Sequence, residues 1–238
     1  MPRFFVDNID GSSAYISGDD AKHISKVLRM SIGDEVTLCD GNGQDYIARI
    51  DNIADSIGFT ILSRSDNIAE PTLKLNLYQA IPKLDKMDFI VQKSVELGIN
   101  QITPVLTQRC ISRPNKQSMS RKMERYKKIA LSAAKQSGRG IVPEIRPMIS
   151  YNDAIKEIAT NTGILFYEGG GKPLDMLISK STHYASILIG SEGGFTLEEV
   201  NMAKESGIEI ATLGNRILRT ETAPISAISI IMHLSGNM

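Results

Sequence analysis

Cysteine is scarce: the 238-residue chain has two, Cys39 and Cys110, in neither a metal-ligand spacing nor a disulfide framework. Both read as reduced thiols of a cytoplasmic protein. No apolar run approaches the roughly 18 residues that a membrane helix needs. The opening Met1-Pro2-Arg3-Phe4-Phe5-Val6 meets Asp7 at once, so neither a transmembrane helix nor a signal peptide is supported. His23, His183 and His233 are scattered, and no His/Cys/Asp cluster suggests a metal. A G-x-G-x-x-G dinucleotide fingerprint is also missing. Glu168-Gly169-Gly170-Gly171-Lys172 lacks the glycine spacing of a phosphate loop and runs into Pro173 rather than Ser or Thr, which sets ATP and GTP aside.

Net charge is absent too, with 27 basic residues against 27 acidic. The average hides a segregation. Residues 101–150 carry eleven basic side chains, including Arg109, Arg113, Arg121, Arg125 and Arg139, opposed only by Glu124 and Glu144. That window is +9, which leaves −9 for the rest of the chain. Charge of one sign gathered in one segment is the footprint of a polyanion partner, because each phosphate neutralised releases counterions.

Residues 1–70 read as a small β-rich domain, with strands at Arg3–Val6, Ser13–Ile16, Glu35–Cys39, Tyr46–Ile53 and Phe59–Leu62. Asp40-Gly41-Asn42-Gly43 reads as a primed hairpin turn with positive φ at both central positions. One helix interrupts the strands, with Ala21, Ile24, Val27 and Leu28 as its buried stripe. Lys22, His23, Lys26 and Arg29 lie on its other face, suited to RNA or simply to solvent. Asp66 to Pro71 is a linker, and residues 71–238 form a second domain. There the period alternates between strand and helix, with Gly98 ending the first helix and a long basic helix at about 118–136.

Two successive strand–loop–helix units close the chain. Ile187-Leu188-Ile189 leads into Gly190-Ser191-Glu192-Gly193-Gly194-Phe195, and Thr196 to Glu199 is a capping box. Ile208 to Leu213 then leads into Gly214-Asn215-Arg216-Ile217-Leu218, and Arg219-Thr220-Glu221-Thr222-Ala223-Pro224 opens the last helix. Matched glycine loops after consecutive strands predict a parallel sheet with a ligand beyond its carboxyl ends, near Glu192, Arg219 and Glu221.

These two motifs, with His23 to Arg29, Lys83 to Gly98 and Gln136-Ser137-Gly138-Arg139, closely resemble the RsmE family of SPOUT-class methyltransferases, over the whole chain. Ser191 and Asn215 stand where many relatives carry proline. The resemblance implies an α+β two-domain fold: a PUA-like β-barrel over residues 1–70 and an α/β SPOUT domain with a deep trefoil knot over residues 71–238. It implies a homodimer that uses S-adenosylmethionine to methylate N3 of a specific uridine of 16S ribosomal RNA in the 30S subunit. The cofactor would lie on Leu165, Phe166, Glu168, Ile189, Gly190, Glu192, Gly193, Gly194, Leu213, Gly214, Ile217 and Leu218. Glu192 or Glu221 would take or orient the N3 proton, Arg219 would stabilise the uracil anion, and Arg139 would contribute from the partner subunit. RNA would be bound by Lys22, His23, Lys26, Arg29, Arg109, Arg113, Arg121, Arg125 and Arg139. A related enzyme acting on another RNA, or a ribosomal RNA binding or assembly factor without chemistry, remain the alternatives.

Overall fold

The computed structural model describes residues 1–7 and 9–238. It divides into two compact units, Met1–Glu70 with Ala134–Val142, and Pro71–Ala133 with Pro143–Met238. Segment 134–142 packs with the N-terminal residues, a return of the chain that a two-part division at residue 70 does not include.

The first unit holds β1 (Arg3–Phe5), β2 (Ile9–Asp10), β3 (Ser13–Ile16), β4 (Glu35–Cys39), β5 (Gln44–Ile53) and β6 (Ile57–Asp66). They form one six-stranded sheet in the order β1-β4-β5-β6-β3-β2, antiparallel except where β1 lies beside β4. Among the described residues no ladder joins β1 to β2. Alternate side chains, among them Phe4, Leu38, Ile50, Ile57 and Phe59, build one core. In the β4–β5 turn positive φ falls on Gly41 and Gly43, not on two consecutive residues. Asp40 Oδ1 accepts from the N–H of Asn42 and Gln44 instead. Cys39 is buried and takes a hydrogen bond from Arg3 Nη1 at 2.9 Å, and burial pushes its thiol up to about 12.

The helix of this unit departs from its predicted stripe. α1 (Gly18–Lys22) gives way to a π-helical turn at His23–Val27, where Leu28 N–H reaches back five residues to His23 O at 2.9 Å. The wider turn shifts the phase. Ala21 and Ile24 are buried, but Val27 is 66% exposed and Leu28 is also exposed, beside exposed Lys22, His23, Lys26 and Arg29.

Segment 134–142 explains the Ser137-Gly138-Arg139-Gly140 motif within this unit. Arg139, 3% exposed, pairs with Glu70 (Nη2 to Oε2, 2.8 Å), whose other oxygen accepts from the N–H of Gly140 and Ile141 at 3.0 Å. Gly140 must lack a side chain, because a Cβ there would lie 2.7 Å from Asn67 Cβ.

The second unit is a seven-stranded sheet, parallel throughout. β7 (Lys74–Ala80), α2 (Lys86–Glu96) and β8 (Gln101–Leu106) form a crossover unit, followed by α3 (Lys116–Ser137), which ends in the first unit. Then come β9 (Glu144–Ile145), β10 (Ile149–Ser150), α4 (Tyr151–Ile158), β11 (Thr162–Phe166), β12 (Tyr184–Ile189), α5 (Leu197–Glu205), β13 (Glu209–Ala211) and α6 (Thr222–Leu234). The order is β10-β8-β7-β12-β11-β13, with β9 also on β8. β12 lies between β7 and β11, and Ala185 to Ile189 are all buried, as expected of a parallel strand covered on both faces. Pro224 sits in the first turn of α6, where its missing N–H costs no helical bond. Gly98 follows α2 at φ 90°, and Ile99 N–H closes the helix end on Ser94 O at 3.0 Å.

Candidate active site

The carboxyl ends of β11, β12 and β13 open into one cavity of about 550 Å³, a size suited to a small-molecule ligand. β12 ends at Ile189, and the five residues from Gly190 to Gly194 fold back tightly. Gly194 takes φ 64° and donates to Ser191 O at 2.9 Å, while a Cβ on Gly190 would meet Gly194 Cα at 3.1 Å. Thr196 and Glu199 then form the predicted capping box at the start of α5. The second oxygen of Glu199 also accepts from Gln108 N–H at 2.8 Å, tying α5 to the loop after β8.

The loop after β13 closes the opposite wall. Gly214 takes φ 96°, and the N–H groups of Thr222 and Ala223 both donate to Arg219 O at 2.9 Å, which starts α6. Thr220 Oγ1 donates to Gly190 O at 2.8 Å, and buried Gln79, at the end of β7, donates its amide to the same carbonyl at 3.3 Å. The two glycine loops are thus joined to each other and to a third strand end. Thr220 and Gln79 were not legible as site residues, because each acts by a contact across a long stretch of sequence.

The charged groups are organised by a residue that no motif singled out. Lys86, on the first turn of α2, places Nζ 3.1 Å from Glu192 Oε1 and 3.0 Å from Glu221 Oε2. The contact to Glu221 is an ion pair rather than an aligned hydrogen bond. Lys83 N–H donates to both oxygens of Glu192, at 3.1 and 3.2 Å. Burial works against the charge on both carboxylates, but backbone N–H groups and Lys86 outweigh it. Both are held below the ordinary glutamate range, Glu221 with help from Arg219. The same contacts, to Glu221 first, raise Lys86.

Of the predicted cofactor residues, Phe166, Glu168, Ile189, Gly190, Glu192, Gly193, Gly194, Leu213, Gly214, Ile217 and Leu218 all line the cavity, as does Arg219. Leu165 does not. It is fully buried on β11 in the core with Leu188 and Phe195, since neighbours along a strand face opposite sides of the sheet. Among the predicted RNA contacts, Arg109, Arg113, Arg121 and Arg125 are exposed. Three of them are already engaged: Arg109 Nη1 donates to Gly193 O at 2.9 Å, Arg113 Nη2 donates to Gln108 O at 2.9 Å, and Arg125 pairs with Asp85 and Asp88. Arg139 belongs to the first unit, buried on Glu70. Among the described residues no group of His, Cys, Asp or Glu could hold a metal ion, and no helix is long and apolar enough to cross a membrane.

Residues 69–232 match a family model described as an RNA methyltransferase domain, and residues 16–61 match an RNA methyltransferase PUA domain. A Ribosomal RNA small subunit methyltransferase E of Buchnera aphidicola is 33% identical, over 100% of this chain and 95% of its own. The chain belongs to the ribosomal RNA small subunit methyltransferase E family. The Bacillus subtilis member is 30% identical over 98% of this chain and 96% of its own. Two solved relatives carry the cofactor. The methyltransferase E of Neisseria gonorrhoeae, bound to S-adenosyl methionine, superposes with a TM-score of 0.89 at 34% identity, covering 98% of each chain. A Legionella pneumophila methyltransferase with bound SAM gives 0.87 at 31% identity, over 97% of this chain and 96% of that one. The chain is thus a methyltransferase with a PUA domain.

Proposed function

We propose that this enzyme transfers a methyl group from S-adenosylmethionine to N3 of a uridine in 16S ribosomal RNA of the small subunit. One observation carries the reading: the family's glycine loops converge on a single cavity lined by Glu192, with Glu221 joined to it through Lys86 and both carboxylates held below the ordinary glutamate range. The cavity suits the cofactor. Glycine backbone and the apolar side chains of Phe166, Ile189, Leu213, Ile217 and Leu218 can enclose an adenine ring, while Glu192 and Glu168 favour a cationic sulfonium and ammonium.

When bound, S-adenosylmethionine supplies an electrophilic methyl carbon whose bonding electrons return to sulfur as the new bond forms. N3 of uracil carries an imide proton, which must leave before its electron pair can attack. Glu192 and Glu221 stay ionised at neutral pH, so either can accept a hydrogen bond from N3–H and orient it, with the proton passing to carboxylate or water. Arg219, exposed beside Glu221, is placed to neutralise charge spreading onto the uracil oxygens.

The knot belongs to the same proposal. β13 lies beyond β11 at the sheet edge, yet the chain after it returns to Gly190 beyond β12 and continues into α6, which packs on β7 and α2. That crossing supports the reading of a SPOUT trefoil knot. The homodimer is supported by exposed Leu197 and Met202 on α5 and Ile230 on α6, and the cytoplasm is where such a substrate resides. RNA binding is assigned to Lys22, His23, Lys26 and Arg29 of the PUA domain, and to Arg109, Arg113, Arg121 and Arg125. Arg139 would have to leave Glu70 to reach a partner's site. Incubation of unmethylated 30S subunits with radiolabelled cofactor tests the reading: label in 16S RNA is expected, and label in no RNA despite cofactor binding would refute it.

A further inference from the structure

We propose that Lys86 is a positioning residue of this site, a single cation that holds Glu192 and Glu221 in place and keeps both charged. The proposal rests on the reaction assigned above for its kinetic consequence, but not for its electrostatic one.

Lys86 stands on the first turn of α2, fixed by the helix rather than by a loop. Its Nζ reaches one carboxylate from each glycine loop, at 3.1 and 3.0 Å, so their nearest oxygens lie within about 6 Å of each other. Two carboxylates at that separation, both partly buried, repel and favour protonation of one of them. Lys86 offsets this repulsion and also links the loop after β12 to the loop after β13. Among the other charged groups, Glu168 and Arg216 line the same cavity. Arg219 acts on Glu221, and Lys83 approaches Glu192 through its backbone N–H rather than its ammonium. Asp85 and Asp88 of the same helix are engaged by Arg125 of α3. With Lys86 removed, Glu192 keeps no ion pair among the described residues.

This assigns Lys86 a role that Glu192 and Glu221 cannot supply for themselves. The unprotonated pair is the form able to accept the N3–H hydrogen bond. Loss of Lys86 would allow one carboxylate to be protonated at higher pH, so the acidic limb of activity would move upward.

The test compares Lys86→Gln and Lys86→Arg with the wild type by two readouts. The first is a carbon NMR titration of protein labelled at the glutamate carboxyl, with Glu192 and Glu221 assigned through their Gln variants. Lys86→Gln should raise at least one of the two carboxylate pKa values by about one pH unit or more, and Lys86→Arg should restore it. The second is the pH profile of single-turnover methylation of 30S subunits. There the acidic limb should rise with Lys86→Gln, and the rate at neutral pH should fall about tenfold or more. Unchanged carboxylate titration in Lys86→Gln would overturn the proposal, as would a rate loss with no shift of the acidic limb. A wild-type enzyme that methylates no ribosomal RNA would remove the proposed function instead, and the NMR titration would still decide the role of Lys86.

Discussion

Replacing Gly193 by alanine tests whether the glycine loop is shaped by close packing rather than by chain flexibility. A Cβ at this position would lie 2.9 Å from Arg109 Cβ and 3.2 Å from Arg109 O. Neither atom can rotate aside, because both move only with the backbone after β8. Overpacking of this kind costs about 1–3 kcal/mol. The loop can relieve the strain by shifting away from Arg109, at the expense of the 2.9 Å bond from Arg109 Nη1 to Gly193 O. Part of the cost should therefore appear as weaker cofactor binding, about tenfold for 1.4 kcal/mol. Gly194→Ala is the informative comparison. There the nearest atom is Glu168 Oε1 at 2.7 Å, the end of a flexible side chain, so the penalty is mainly the φ of 64° and amounts to about 1–2 kcal/mol. Urea unfolding would measure stability, and calorimetric titration with S-adenosylmethionine would measure affinity. The double variant Gly193→Ala/Arg109→Gly removes one of the two close contacts and should recover part of the loss. Wild-type affinity and stability in Gly193→Ala would refute the packing argument.

Four further outcomes follow from the same structure. Thr196→Ala removes the capping box of α5 and should lower unfolding stability by about 1 kcal/mol with cofactor affinity little changed, read by urea denaturation. Arg139→Ala leaves Glu70 without its cation but still bonded to two backbone N–H groups. A loss of about 3 kcal/mol in stability is expected, and an unchanged midpoint would show that the buried pair is not structural. Glu157 is held below its usual range, first by Arg146. A depressed carboxylate stabilises the fold above its unfolded value near 4.5 and loses that contribution as pH falls through the lower folded value. Arg146→Met should therefore destabilise more at pH 7 than at pH 3, measured by denaturation at both. Charge reversal at Lys26 and Arg29 should weaken 30S binding and flatten its salt dependence, the log–log slope falling by about 2; an unchanged slope would exclude these residues from RNA contact.

Local chemistry made much of this legible. Thr196 and Glu199 announce a helix start, Pro224 fits only a first turn, and Gly98 marks a helix end, because each is decided by neighbours within a few residues. The glycine loops after β12 and β13 were readable for the same reason. What stayed hidden depends on long-range packing or on a local irregularity. The π-helical turn at His23–Val27 breaks the regular period on which the burial of Val27 and Leu28 was expected. Leu165 is apolar and one residue from the cavity, and only the strand's register decides that it faces the core. Lys86 meets Glu192 and Glu221 across more than 100 residues, and Arg139 meets Glu70 across 69, so spacing along the chain gives no sign of either pair.

The central claim is best tested by primer extension through 16S RNA, after unmethylated 30S subunits are incubated with the enzyme and S-adenosylmethionine. A methyl group on N3 blocks the Watson–Crick edge of uracil and halts the polymerase. The account predicts one new stop, at a uridine, that depends on the cofactor and disappears in the Glu192→Gln/Glu221→Gln double variant. Transfer of the methyl group to 16S RNA without any stop would place it elsewhere than on N3 and contradict the account.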